Sequence, residues 1–125
     1  MVENSLKMVR EICLQLPEVV EKPSHGAPSW FVQGKRQFAT FWDNHHNDGR
    51  LALWIAAPMG VQQSLDAAAK AWFFVPPYVG YRGWIGVRLD RDLTREELED
   101  LLYDAFCTVV PPKLIEKLRA AKTEV

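Results

Sequence analysis

Apolar residues recur along this chain in two rhythms. Leu6, Val9, Cys13 and Leu16 return at helical spacing, with Ile12 broadening the stripe. Asn4 or Ser5 can cap the start of this helix, and Pro17 ends it. Further on the rhythm shortens. Two aromatic-rich runs, Trp30-Phe31-Val32 and Phe38 to Trp42, flank Gln33-Gly34-Lys35-Arg36, the pattern of a β-hairpin with Gly34 in the turn. Arg50 to Ala57 follows as a third strand, with Leu51, Leu53 and Ile55 on one face and Trp54 on the other. Between them Asp43 to Arg50 is a polar connection in which Asp48-Gly49 favours a tight reversal. The stretch before the hairpin, Glu18 to Ser24, reads as a charged loop.

Pro58 can open a helix running through Ala71, with Val61, Leu65, Ala68 and Ala69 on its inner face. The first part of the stretch from Phe73 to Asp90 cannot be a helix, because Pro76 and Pro77 remove two donors, and Gly80 and Gly83 then permit turns. This aromatic loop feeds a strand over Trp84, Ile85, Val87 and Leu89. It is apolar on both parities until Val87, so a central place in the sheet is expected. Thr94-Arg95-Glu96-Glu97 is a capping box. Leu98, Leu101, Leu102, Ala105 and Phe106 form the amphipathic stripe behind it, opposite a solvated face of Glu96, Glu99, Asp100 and Asp104. Pro111 and Pro112 end that helix, and Lys113 to Lys122 can form a last one with Leu114, Ile115, Leu118 and Ala121 inward. Helices at both ends and strands between them describe one α+β domain over residues 1–125.

The bulk numbers agree with that picture. A chain of 125 residues, 48% hydrophobic and 25% charged, is one globular domain able to bury a core without staples. No apolar run approaches ~20 residues, so no membrane span is expected. The opening Met-Val-Glu-Asn-Ser-Leu-Lys has no signal-peptide pattern, and Cys13 and Cys107 form no Cys-x-x-Cys. A cytoplasmic protein with free thiols is expected, Cys13 being a small buried hydrophobe. A net charge of −1 argues against a dedicated non-specific DNA binder while leaving room for a local basic face. No apolar stripe remains unpaired after the core is assigned, which makes a monomer the default.

The chain carries no phosphate-binding glycine loop, no Gly-x-Ser-x-Gly, no His-Glu-x-x-His and no zinc spacing. His45, His46, Asp43 and Asp48 invite a metal reading. Adjacent histidines on an extended chain diverge, however, and no further ligand group is spaced to close a site. A polar hairpin loop accounts for them better, and neither metal nor cofactor is assigned. His25, beside a Gly-Pro turn, has no nucleophile or carboxylate placed near it by spacing. It reads as a structural histidine, no catalytic residue is assigned, and the chain is taken as a non-enzyme. Two binding constellations remain. Lys35 and Arg36 at the hairpin tip, Arg50 at the next connection and Arg82 in the aromatic loop form a basic face if the turns converge. They would position DNA phosphates, with Tyr78 or Tyr81 against sugar or base. Alternatively, His25, Trp30, Tyr78, Tyr81 and Trp84 enclose an aromatic pocket for a small ligand.

Several segments together resemble the MmcQ/YjbR-like proteins. They are Leu16-Pro17-Glu18-Val19-Val20-Glu21, His25-Gly26-Ala27-Pro28-Ser29-Trp30-Phe31-Val32 and Gly34-Lys35-Arg36-Gln37-Phe38-Ala39. Val75-Pro76-Pro77-Tyr78-Val79-Gly80, Gly83-Trp84-Ile85-Gly86-Val87 and Val110-Pro111-Pro112-Lys113 follow in matching order. The family often has Ala-Pro-Lys at the last of these, a departure expected to affect local packing only. The resemblance implies a CyaY-like two-layer α+β fold, an antiparallel sheet covered by helices. It also implies a DNA-binding role through a "double wing" arrangement, with double-stranded DNA as partner. It carries over His25, Gly26, Pro28, Gly34, Lys35, Phe38 and Trp84 as structural motif positions. The four cations named above are assigned from charge and turn position. Iron binding, suggested by fold analogy, does not transfer with the fold.

Overall fold

The computed structural model describes residues 2–65 and 72–123. Helix α1 spans Val2–Gln15, and strands β1 Val19–Ser24, β2 Ala27–Val32, β3 Arg36–Asp43 and β4 Leu51–Ile55 follow. A single helical turn, α2, covers Val61–Ser64. Strands β5 Phe73–Phe74 and β6 Ile85–Arg88 and helices α3 Arg95–Val109 and α4 Pro112–Thr123 complete the order. The strands form one antiparallel sheet in the order β1-β2-β3-β4-β6-β5. This is the two-layer α+β architecture expected.

Helices α1 and α3 cover one face of the sheet. Val9 and Cys13 from α1 and Leu98, Leu102 and Phe106 from α3 meet Trp30, Phe38, Leu53 and Val87 from the strands. The Phe38 and Phe106 rings lie edge to face with centroids 6.0 Å apart. The capping box at the start of α3 is formed: Glu97 N–H donates to Thr94 Oγ1, and Thr94 N–H donates to Glu97 Oε1, each at 3.1 Å. Arg10 grips Glu21 with two nitrogens, tying α1 to β1. Cys13 is fully buried, and burial pushes its thiol well above the ordinary value, so it packs as a hydrophobe. No helix among the described residues is long and apolar enough to cross a membrane.

Four expectations need correcting. Glu18 to Ser24 is not a loop: residues 19–24 form edge strand β1. Its charges fit an edge, where Glu21 serves Arg10 and Lys22 reaches the Gly34 carbonyl at 2.7 Å. The strand after the aromatic loop is not central, since only the two-residue β5 lies outside β6. Its burial comes from the core that receives Ile85 and Val87 and from the Phe74 ring, which lies over Gly86. The first helix begins at Val2, ahead of both suggested caps. The helix expected from Pro58 starts at Val61, and Leu65 is already extended. Ala68, Ala69 and Ala71 lie outside the described residues.

Candidate functional site

Strand register fixes which side chains share the sheet's second face. Ser29 stands opposite Thr40, Thr40 opposite Trp54, and Trp54 opposite Gly86, a row across β2, β3, β4 and β6. Trp42, opposite Ala52, lies on the same face two residues along. The β2–β3 register shifts at Phe38, which has no partner on β2. This bulge turns Phe38 toward α3 and leaves Gln37 beside Thr40, where the Gln37 amide donates to the Thr40 hydroxyl. Ser29 Oγ lies 3.1 Å from the Ala27 carbonyl oxygen and 3.3 Å from Thr40 Oγ1. A short polar strip thus crosses a face otherwise made of tryptophan.

No long helix covers this face among the described residues; two loops do. The first runs from Asn44 to Gly49. Asn44, His46 and Asn47 all have positive φ (57°, 48° and 61°), the left-handed conformation that asparagine tolerates best. The loop is knitted to itself. Gly49 N–H donates to Asn44 Oδ1 at 2.8 Å, and Arg50 N–H to Asp48 Oδ1 at 2.9 Å. Its product is a buried imidazole. The His45 ring lies 4.4 Å from Trp42 and 4.7 Å from Trp54, and His46 stacks on it at 4.0 Å. Burial lowers the His45 pKa below its ordinary value; neighbouring His46 adds to the fall and Asp48 opposes it. The second loop carries Tyr78, whose ring stands edge-on to both histidines, and the helical turn Gly80–Arg82. Gln62 anchors that loop by donating to the carbonyls of Gly80 and Trp84 at 2.8 and 2.7 Å.

The loops leave a cleft of about 720 Å³. Trp42, Trp54 and Trp84 line it together with Gln37 and Thr40 from β3, His25 from the β1–β2 turn, and His45, His46, Tyr78 and Arg82 from the two loops. Asp43 also reaches the lining. The indole N–H groups of Trp42 and Trp54 are buried and find no acceptor among the described residues. The Arg82 guanidinium lies over the Trp84 ring, 5.2 Å from its centroid.

Of the residues singled out for an aromatic pocket, the structure brings together His25, Tyr78 and Trp84. Trp30 points to the other face and is sealed in the core with no exposure. Tyr81 is 88% exposed and lies outside the cleft. Nor do the four cations share one face. In an antiparallel sheet alternate connections emerge at opposite ends. Lys35 and Arg36 sit at the start of β3, whereas Arg50 follows the loop at its far end, roughly 23 Å away for eight extended residues. The Arg50 guanidinium is laid over the Phe74 ring at 4.0 Å, and Arg82 belongs to the cleft. The same alternation puts the His25-Gly26 turn at the end where His45 and His46 emerge. His25 and Gly26 both have positive φ there, as a two-residue hairpin turn requires.

The expectation that the adjacent histidines diverge is also corrected: left-handed backbone at His46 folds its ring onto His45. No group of three or more potential metal ligands occurs among the described residues. Gln37, Thr40, Trp42 and Trp54 were missed as site residues. Their signal was the placing of tryptophan on the strand parity opposite the apolar Phe41, Leu53 and Ile55. A family model described as YjbR matches residues 14–108, a span that includes every lining residue named above. No curated protein and no solved structure matches the chain.

Proposed function

Starting from the fact that this chain belongs to the YjbR family, we propose that it is a binding protein that takes a small, flat molecule into the cleft on the loop-covered face. The supporting observation is the cleft itself. At about 720 Å³ it falls among drug-sized ligand sites, and three tryptophans meet a few convergent polar groups there. Flat rings stack on indole and tyrosine, while Gln37, Thr40 and the histidines supply orientation. The test is a panel of small aromatic compounds titrated against the labelled protein, following the indole N–H signals by NMR. Signals from Trp54 and Trp84 are expected to move while that of Trp30, on the opposite face, stays still. A panel in which no compound moves Trp54 or Trp84 overturns the reading.

A second reading, DNA binding through a hairpin wing, has one observation in its favour. Lys35 and Arg36 are exposed at the β2–β3 tip and form no ion pair among the described residues. Two cations free of acidic partners can neutralise phosphate. Duplex binding measured by fluorescence anisotropy over a salt series tests it. The expected outcome is affinity that falls steeply with salt, with a slope shallower by about two in a Lys35→Ala, Arg36→Ala variant. No binding at low salt would remove this role.

A further inference from the structure

Resting on the cleft as a ligand site, we infer that its ligand is an aromatic carboxylate and that Arg82 holds the carboxylate. The Arg82 guanidinium touches the Trp84 ring but makes no hydrogen bond or ion pair among the described residues. No described residue therefore claims its N–H edges. Among the described lining residues it is the one permanent cation. Three histidines and one acid, Asp43, share the described lining with it, which leaves Arg82 as the group there able to pair with an anion. A guanidinium presents paired donors in one plane, the geometry a carboxylate matches with two oxygens. A phosphate ester demands more donors than one fork, and no second permanent cation lines the cleft among the described residues. A quaternary ammonium, the other guest that aromatic walls favour, would share its cage with Arg82. Because Arg82 stands on Trp84, a ring lying beside that indole brings a carboxylate attached to it to the guanidinium edge. Ring and anion are thus recognised by neighbouring groups.

Matched probes test this: 2-naphthoate, 2-naphthylmethanol and 2-naphthyl phosphate, titrated against the whole chain with the indole signals as readout. In wild type 2-naphthoate is expected to bind about tenfold more tightly than the alcohol, the size of one charge-assisted hydrogen-bonded contact. In Arg82→Gln the preference should vanish while affinity for the alcohol stays; Arg82→Lys, which keeps charge but loses the fork, should fall between. Arg82 is exposed, and an unmoved Trp30 indole signal verifies that each variant is folded. Equal affinity for acid and alcohol in wild type overturns the inference and leaves the cleft as a ligand site. Tighter binding of the phosphate ester than of the acid overturns the choice of carboxylate. If no probe moves Trp54 or Trp84, the ligand-site reading falls and takes this one with it.

Discussion

On the helix-covered face of the sheet, Trp30, Phe38, Leu53 and Val87 have no solvent exposure, and α1 and α3 fill the space above them. On the loop-covered face stand the alternate side chains Ser29, Gln37, Thr40, Trp42 and Trp54, and a cleft remains. Both faces are rich in aromatic rings. They differ in what lies on top. Helices bring regularly spaced apolar side chains that interdigitate with a strand surface. Loops bring backbone polar groups and whatever ring sits between left-handed neighbours, here His45 between Asn44 and His46. A face closed by loops therefore keeps room for a guest, whereas a face closed by helices stores stability.

The largest effect expected is on the helix side. Phe38 fills the bulge and meets Phe106, so Phe38→Ala should leave a cavity costing about 3–5 kcal/mol. Urea denaturation measures it. A loss under about 1 kcal/mol would mean that the two faces do not divide stability and binding as argued. Next comes Gly86→Ala on the loop side. The Phe74 ring lies where the new methyl would go, and Arg50 stacks on that ring in turn. Overpacking here should cost about 1–3 kcal/mol, less than the cavity because the ring belongs to the two-residue edge strand β5 and can move. An equal or larger loss than for Phe38→Ala would reverse the ranking of the faces.

These two positions also illustrate what a sequence makes legible. The amphipathic stripe and capping box announced α3, and paired aromatic runs around Gln33-Gly34 announced β2 and β3, because both signals are local. Strand β1 stayed hidden, since an edge strand with Arg10 opposite Glu21 carries charge where a buried strand would not. The cleft was half visible. Tyr78 and Trp84 were drawn from an aromatic loop that does border it. Trp30, one residue out of register with Ser29, went to the core instead. Trp42 and Trp54 become a floor only once β3 pairs with β4 and the bulge at Phe38 sets the facing of Gln37. No property of a single strand carries that information. The stacked His45–His46 pair depends on positive φ at His46, which residue type alone gives little reason to expect.

Acid should separate the two faces by a smaller amount. His45 has a depressed pKa, so the unfolded chain takes up a proton before the native one does. Stability should then fall as pH drops below the ordinary histidine value, about 6.5, and level off once His45 protonates in the native state. Asp90 works lower on the scale. Its hydrogen bonds from Arg88 hold its carboxyl below the usual value, so its contribution is present above the ordinary carboxylate range and is lost as pH falls through the native value. Thermal midpoints against pH should show both declines. His45→Gln should erase the upper one alone, and Asp90→Asn the lower one alone. An upper decline that survives His45→Gln would belong to a group other than His45.

The smallest effect on stability should accompany a large one on binding, and Tyr78→Ala is where the two part. Tyr78 is 69% exposed, and its ring stands edge-on to His45 and His46 at the cleft wall. Its backbone has a positive φ of 66°, which alanine at this position must also adopt, so the strain stays on both sides of the comparison and the ring is what is removed. Surface truncation of this kind should change unfolding free energy by no more than about 0.5 kcal/mol. Losing a stacking wall of a flat-ligand site should weaken 2-naphthoate binding by roughly tenfold, the value of one ring–ring contact and its share of buried surface. Calorimetric titration beside urea denaturation reads both quantities on one preparation. Unchanged affinity would remove Tyr78 from the wall. A stability loss above about 2 kcal/mol would show that the second loop helps hold the fold, and the division of labour between the faces would have to be withdrawn.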